Sequence, residues 1–213
     1  FQRRISETPI KNKAREIYSH FALDFVYKNS QNLLAFIDNH DVVRWLYKHP
    51  SIEELKQAIG LLLTIPRIPQ IYYGTEILMV GDGKGDTDGN MRQDYHWDRF
   101  LTAEQKDFQV YIAKLLKWRR GCKAITEGEM MHFVPLDGKV YVYFRYLKDD
   151  NGNINDANVV MVVVNFSEEN DEGNLCRFNE ILSVCELWND VIDNKVRLLN
   201  SMNSINIKAN GII

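Results

Sequence analysis

The chain has 213 residues, of which 45% are apolar, 11% aromatic and 26% charged, a balance that excludes disordered and collagen-like proteins. Lys and Arg number 26 against 29 for Asp and Glu, a net charge of −3, so the basic surplus of a nucleic-acid binder is missing, and so is the attraction needed to hold acidic lipid surfaces. No stretch approaches the ~18 consecutive apolar residues of a membrane helix. A complete (β/α)8 barrel needs roughly 250 residues, so this length cannot hold one together with a second domain. The opening Phe1-Gln2-Arg3-Arg4-Ile5 is no signal peptide, because no apolar core follows the positive charge. The chain also begins without Met, and it is expected to be a processed, cloned or proteolysed piece of something longer.

In chain order, Ala14 to Tyr27 reads as a helix with Ile17, Phe21, Leu23, Phe25 and Val26 forming a broad apolar surface. After a polar break at residues 29–32, Leu33-Leu34-Ala35-Phe36-Ile37 predicts a strand buried on both faces of a parallel sheet. Ser51 and Glu54 have the spacing of a capping box. They open a helix whose Ile52, Leu55, Ala58, Ile59 and Leu62 recur at helical intervals until Pro66 and Pro69. Ile68 to Tyr73 is a second strand, ended by Gly74, and a Gly/Asp-rich loop runs from Val80 to about Arg99. Thr102 with Gln105 forms another capping box, opening a helix with Phe108, Tyr111, Ile112, Leu115 and Leu116 on one face and Gly121 at its end. Alternating helices and strands of this kind indicate an α/β fold.

Beyond residue 122 the pattern changes. Asp137-Gly138 is a hairpin turn before the strand Lys139 to Arg145. A turn at Asp150 to Asn153 precedes the strand Val159 to Val164, and shorter segments lie around Leu182, Val191 and Ile205. Short strands between turn residues predict an antiparallel sandwich. The chain therefore divides into residues 1–122 and 123–213, and with no linker between them the two parts should pack directly together. Cys122, Cys176 and Cys185 have no regular spacing and form neither a disulfide framework nor a zinc site.

Candidate chemistry gathers where the two predicted strands end. Asp38-Asn39-His40-Asp41 follows the first strand directly, and ligands of parallel α/β sheets bind at the carboxyl ends of strands. Two acids, an amide and an imidazole suit a polar substrate; equally, Asn39 and Asp41 could cap a helical turn at Val42 to Tyr47. In the long loop, Asp88 and Arg92 lie four apart with Trp97 nearby. Charged groups can bond sugar hydroxyls while an indole covers the ring face, and a solvated loop is the competing reading. The acids between Asp82 and Asp88 miss the EF-hand spacing, and the glycines at 81, 83 and 85 are no nucleotide fingerprint. For His20, His49, His96 and His132, surface or capping roles are expected.

These motifs resemble those of a known family. Phe36-Ile37-Asp38-Asn39-His40-Asp41 is similar to the fourth signature of the α-amylase family of glycoside hydrolases, and Ile68 to Glu76 resembles that family's last-strand signature. Asp88-Gly89-Asn90-Met91-Arg92-Gln93-Asp94 followed by Trp97 resembles the neopullulanase and cyclomaltodextrinase branch, as does Asp24-Phe25-Val26-Tyr27 before Asn32. Asp94-Tyr95-His96-Trp97 departs from the branch's usual Phe-Pro-Gly-Gly-Trp, which bears on substrate choice.

The resemblance implies an α/β plus all-β chain: the last two strands and helices of a (β/α)8 TIM barrel, then an antiparallel β-sandwich domain C. It implies Asp41 as the carboxylate that stabilises the transition state and His40 as a neighbour bonding the same sugar. It implies Asp88 and Arg92 as binders of a sugar farther along, and Tyr73 and Glu76 as supports; Asp38 occupies a variable position with no catalytic role. The nucleophilic Asp and the general-acid Glu belong to earlier strands, so the chain alone should be inactive. The expected substrate is an α-glucan oligosaccharide with α-1,4 bonds, with hydrolysis and glycosyl transfer both open. No metal site and no cofactor are implied for this segment, although the parent enzyme could hold calcium. No nucleic acid or membrane partner is expected, and the exposed half-barrel surface should either pair two copies or rearrange to be hidden. The family favours a periplasmic or secreted location and leaves a cytoplasmic one open. The other reading is a non-catalytic carbohydrate-binding or interaction module.

Overall fold

The computed structural model describes residues 10–81, 88–95, 97, 100–182, 187–193, 195–198, 204–209 and 211–212. Helix α1, Ile10–Ala22, buries Ala14, Ile17 and Phe21 along one stripe. The predicted extension to Tyr27 does not form. The chain leaves the helix where Asp24 pairs with the buried Arg67 guanidinium, and a 3-10 turn at Asp24–Val26 follows. Leu23, Phe25 and Val26 then face outward, Phe25 with 82% of its surface exposed.

Strand β1, Leu34–Ala35, pairs in parallel with β2, Ile68–Pro69, in the register Leu34↔Ile68 and Ala35↔Pro69. Both are much shorter than the predicted runs 33–37 and 68–73. Burial on both faces of the first is also corrected: Ala35 and Ile37 are buried, whereas Leu33 and Leu34 are exposed. The cause is the narrow sheet, in which, among the described residues, β1 and β2 pair only with each other and one face lacks cover.

Between them lie α2, Trp45–Lys48, and α3, Ile52–Thr64. Ser51 Oγ accepts from the Glu54 amide at 3.2 Å, but the Glu54 carboxylate lies 3.9 Å from His49 rather than completing a reciprocal box. Ile65 is extended, as the residue before a proline must be. After β2 the backbone pivots at Gly74, with φ +82°, where an added Cβ would sit 2.0 Å from the Met79 sulfur. Helix α4, Asp88–Met91, is one turn within the long loop; the acids and glycines at 82–87 and the side chain of His96 lie outside the described residues. Helix α5, Ala103–Gly121, carries the full Thr102–Gln105 capping box and ends at Gly121 as expected. Phe108, Ile112 and Leu115 are buried, but Leu116, assigned to the same face, is exposed. A short α6, Lys123–Thr126, follows.

The C-terminal part is mostly sheet. Strands β3, Glu129–His132, β4, Val140–Lys148, and β5, Ile154–Asn165, form an antiparallel sheet in the order β3-β4-β5. Its turns include Gly138 and Gly152, both with positive φ. Strand β6, Asp171–Asn174, is followed by a 3-10 turn at Cys176–Phe178 and by α7, Asn179–Leu182. Strands β7, Leu187–Asp190, and β8, Lys195–Leu198, pair together, and β6 pairs with β9, Ser204–Ile207. Ile205 is thus in a strand as predicted, whereas Leu182 ends a helix and Val191 lies in a turn.

Alternation along β4 and β5 explains how one sheet serves two cores. Tyr141, Tyr143, Val162 and Val164 pack with the buried faces of α1, α3 and α5, while Val142, Phe144 and Val163 pack against Phe178, Ile181, Ile205 and Ile207. Burying each such side chain stabilises the fold by roughly 1.5–3 kcal/mol, so β4 anchors both sides. The two parts of the chain also share buried polar bonds, as direct packing predicts. Tyr143 and Thr64 hydroxyls lie 2.5 Å apart, Gln57 donates to the Asn165 carbonyl at 2.6 Å, and Arg145 donates to the Thr64 carbonyl at 2.8 Å. Cys122 is partly buried and Cys176 exposed, while Cys185 lies outside the described residues.

His132 departs from the surface role expected of it. It is half-buried, with its ring 4.6 Å from Tyr18 and Nδ1 2.9 Å from the Tyr141 hydroxyl. Burial lowers its pKa from 6.5, opposed by the Asp24 carboxylate. A lowered pKa means that the unfolded chain binds the proton more readily, so stability falls as pH drops through 6.5. Urea midpoints between about pH 8 and pH 5 should therefore decline in the unmodified chain and decline less in His132→Gln; equal slopes would refute this assignment.

Candidate functional site

The segment after β1 builds the site from local bonds. The Asn39 side chain accepts from the Asp41 amide at 2.8 Å, an Asx turn that lifts Asp41 out of the strand direction. Helix α2 begins only at Trp45, whose amide is held at 3.1 Å by Asp38 Oδ2. Asp41 is therefore not a helix cap, and capping of the predicted turn from Val42 fails because Asp38 takes that task one turn later. The Asp41 side chain is 63% exposed and open to solvent.

All four residues expected to bind or act on substrate meet here. His40 Nε2 lies 3.1 Å from Asp41 Oδ2, and Arg92 Nη2 lies 3.0 Å from Asp41 Oδ1. Arg92 Nη1 is 3.2 Å from Asp88 Oδ2, and Arg92 Nε donates to the His40 carbonyl at 3.1 Å. Helical spacing puts Asp88 and Arg92 on one side of the α4 turn. Arg92 thus bridges Asp41 and Asp88. Chemically the cluster offers two carboxylates, a guanidinium and an imidazole within reach of one ligand, a set that can both donate to and accept from vicinal hydroxyls.

The supporting residues lie beneath and beside it. Tyr73 donates its hydroxyl to the Gln93 carbonyl at 2.6 Å, tying the exit of β2 to the Asp88–Arg92 loop. Tyr95 packs 4.4 Å from Trp97, whose indole is almost wholly exposed; partial burial and the Glu76 carboxylate hold the Tyr95 phenol above its ordinary pKa. Asp38 is buried, with Oδ1 accepting from Thr75 Oγ1 at 3.2 Å. Burial raises its carboxyl above the ordinary range, against the opposing pull of the Trp45 amide, Arg44 and Thr75. Arg44, which sequence reasoning passed over, is also buried. Its Nη1 donates to the Tyr73 carbonyl at 2.5 Å, and its guanidinium lies over the Tyr72 and Tyr73 rings at 4.2 and 5.0 Å. The available signal was a lone charge in the otherwise apolar run Val42-Val43-Arg44-Trp45-Leu46.

Comparison with known proteins follows the same lines. Residues 130–213 match the family model of the cyclo-malto-dextrinase C-terminal domain. A cyclomaltodextrin glucanotransferase of Geobacillus stearothermophilus is 32% identical over 147 residues, 68% of this chain and 18% of that protein. An alpha-amylase of Niallia circulans is 31% identical over 147 residues, covering 69% of this chain and 24% of the relative. Among solved structures, an alpha-amylase from Geobacillus thermoleovorans complexed with acarbose superposes with a TM-score of 0.74 at 21% identity, over 99% of this chain and 44% of that one. AmyP in complex with maltose gives 0.72 at 18% identity, over 99% and 47%. The chain therefore shares the fold of a part of these amylase structures, and the described residues form no closed barrel. By sequence the chain is thus similar to cyclomaltodextrin glucanotransferases and amylases of the alpha-amylase family. It spans less than a quarter of the length of these two curated relatives.

Because Arg92, Asp41 and Asp88 are largely exposed, their pairing adds little to stability. Replacing Arg92 with Met should change the unfolding free energy by about 1 kcal/mol or less, as read from denaturant midpoints. A larger loss would make the cluster a structural element rather than a ligand site.

Proposed function

We propose that this chain is the C-terminal part of a retaining α-glucan hydrolase that cleaves α-1,4 glucosidic bonds. In this reading residues 1–122 close a (β/α)8 barrel and residues 123–213 form its β-sandwich domain C. The observation that carries the reading is the convergence of His40, Asp41, Asp88 and Arg92 from two loops onto one exposed cluster. Support also comes from the relatives, named as cyclomaltodextrin glucanotransferases and amylases, and from a neighbour complexed with acarbose.

Retaining cleavage builds positive charge on the sugar ring, and hydrogen bonds to its hydroxyls strengthen as the charge grows. Asp41 is the group that meets that charge. His40 bonds the same sugar, and Asp88 and Arg92, bridged to Asp41, bind a sugar farther along. The nucleophilic Asp and the acid/base Glu come from preceding strands of the longer protein. The reading requires no cofactor of this segment and leaves calcium in the longer enzyme open.

In the longer protein, Asp41→Asn should lower the rate of maltooligosaccharide hydrolysis by at least ~10²–10³-fold, the typical loss of one electrostatic stabiliser. The 213-residue chain alone should give no turnover. Loss of glucan binding without loss of rate would instead favour a non-catalytic carbohydrate-binding module.

Leu23, Phe25, Val26, Leu34 and Ile68 are exposed apolar residues, and β1 and β2, paired with each other alone among the described residues, leave an open edge. In the reading proposed, earlier barrel strands cover it, and in the isolated chain a second copy does. Light scattering of the isolated chain should therefore give a dimer that dissociates when Phe25 and Leu34 are both changed to Ser; a monomer at all concentrations would defeat this part of the proposal.

A further inference from the structure

We propose that Asp38 and Arg44 are positioning residues for Asp41, a role that rests on the function proposed above and adds residues to it. The exposed bonds of Asp41 are too weak to hold its loop, since surface ion pairs contribute little against side-chain entropy. Placement has to come from below, and the buried contacts there converge on the two ends of the segment that carries Asp41.

Asp38 closes that segment on itself. Its Oδ2 accepts from the Trp45 amide at 3.1 Å, so the residues flanking Asp41 on both sides are joined through one carboxylate. Oδ1 accepts from Thr75 Oγ1 at 3.2 Å and ties the loop to the exit of β2. Arg44 makes the second tie to that exit, through Nη1 to the Tyr73 carbonyl at 2.5 Å. Its Nη2 has no hydrogen-bond partner, and the Tyr72 and Tyr73 ring faces attract the charge instead. Tyr73 in turn ties the β2 exit to the loop that carries Arg92, through its hydroxyl to the Gln93 carbonyl.

Asp38 and Arg44 are only 2% and 1% exposed. A buried pair of charges carries a desolvation cost that apolar residues of similar volume would avoid. What the pair contributes in return is a fixed loop geometry: two directed ties from the β1 exit to the β2 exit, beneath an acid whose action depends on its position. Asp38 and Arg44 touch no substrate in this account; they act through Asp41.

The test uses the longer enzyme and a maltooligosaccharide substrate. Asp38→Ala should lower kcat by about 10²-fold, the cost of a displacement on the order of 1 Å, with KM within about twofold because the lost interaction belongs to the transition state. Asp38→Asn keeps an acceptor for the Trp45 amide and can donate to the Thr75 hydroxyl, so most of the rate should return. Unchanged kcat in Asp38→Ala, or equal losses in the Ala and Asn variants, would overturn the proposal. If Asp38→Ala does not fold, Thr75→Val cuts one tie alone and should still lower kcat by about tenfold with KM held; an unaltered rate there overturns it as well. Asp41→Asn run in parallel separates the two claims. A slowed Asp41→Asn beside unaffected Asp38 and Thr75 variants removes only the positioning role, while an unslowed Asp41→Asn removes the functional reading and this role with it.

Discussion

The parallel pairing of two dipeptides, Leu34-Ala35 with Ile68-Pro69, is the constraint on which the rest depends. Parallel strands send their carboxyl ends to the same side, so the residues after Ala35 and those after Pro69 emerge together. An antiparallel pair would have placed Asp38 and Thr75 at opposite ends, with no bond between them. The pairing uses few backbone bonds: Ile68 donates to Leu33 at 3.1 Å and Gln70 to Ala35 at 2.8 Å, with Pro69 unable to donate between them. So short a contact is held in register by what packs behind it. Ala35 and Ile37 join the same core as Leu55, Ile59 and Leu62 of α3 and Phe108 and Ile112 of α5.

Above that pairing the polar residues lie in two layers of different energetic character. The lower layer, Asp38, Arg44 and Thr75, is buried, so each hydrogen bond there is costly to lose. The upper layer, His40, Asp41, Asp88 and Arg92, is solvated, and its ion pairs are weak and screened by salt. This division suits a ligand site. Weakly paired surface groups can exchange partners with arriving hydroxyls at little cost, whereas the loop that presents them keeps its geometry through buried bonds.

The sheet β3-β4-β5 supports this end of the molecule from a distance. Because β4 is covered on both faces, Tyr143 can meet Thr64 at the last turn of α3 while Phe144 packs against Phe178 on the other side. Arg145 adds bonds to the Thr64 and Gly128 carbonyls, and burial lowers its guanidinium pKa to about 10. The C-terminal end of α3, and with it the start of β2, is thereby fixed by residues from the far half of the chain. The opposite side of β1 and β2 has no such cover among the described residues, which is why Leu33 and Leu34 are exposed despite their apolar character.

Local signals along the chain were enough to locate α3 and α5, whose caps and apolar intervals need no distant partner, and the turns at Gly138 and Gly152, where the backbone takes positive φ. They also singled out His40 and Asp41, which stand out after an apolar run, and Asp88 and Arg92, which lie four apart near an indole in a polar loop. Strand length and burial were not legible in the same way. Leu33 to Ile37 has the composition of a two-sided buried strand, yet burial depends on neighbours that composition does not specify. Leu23, Phe25 and Val26 likewise continue an apolar pattern, but the helix ends at a long-range pairing of Asp24 with Arg67. The bond between Arg92 and Asp41, 51 residues apart, and the ties of Asp38 and Arg44 to the β2 exit arise only when the two strands lie side by side. Residue type and spacing carry local chemistry, whereas distances between loops are set by packing of the elements that bear them.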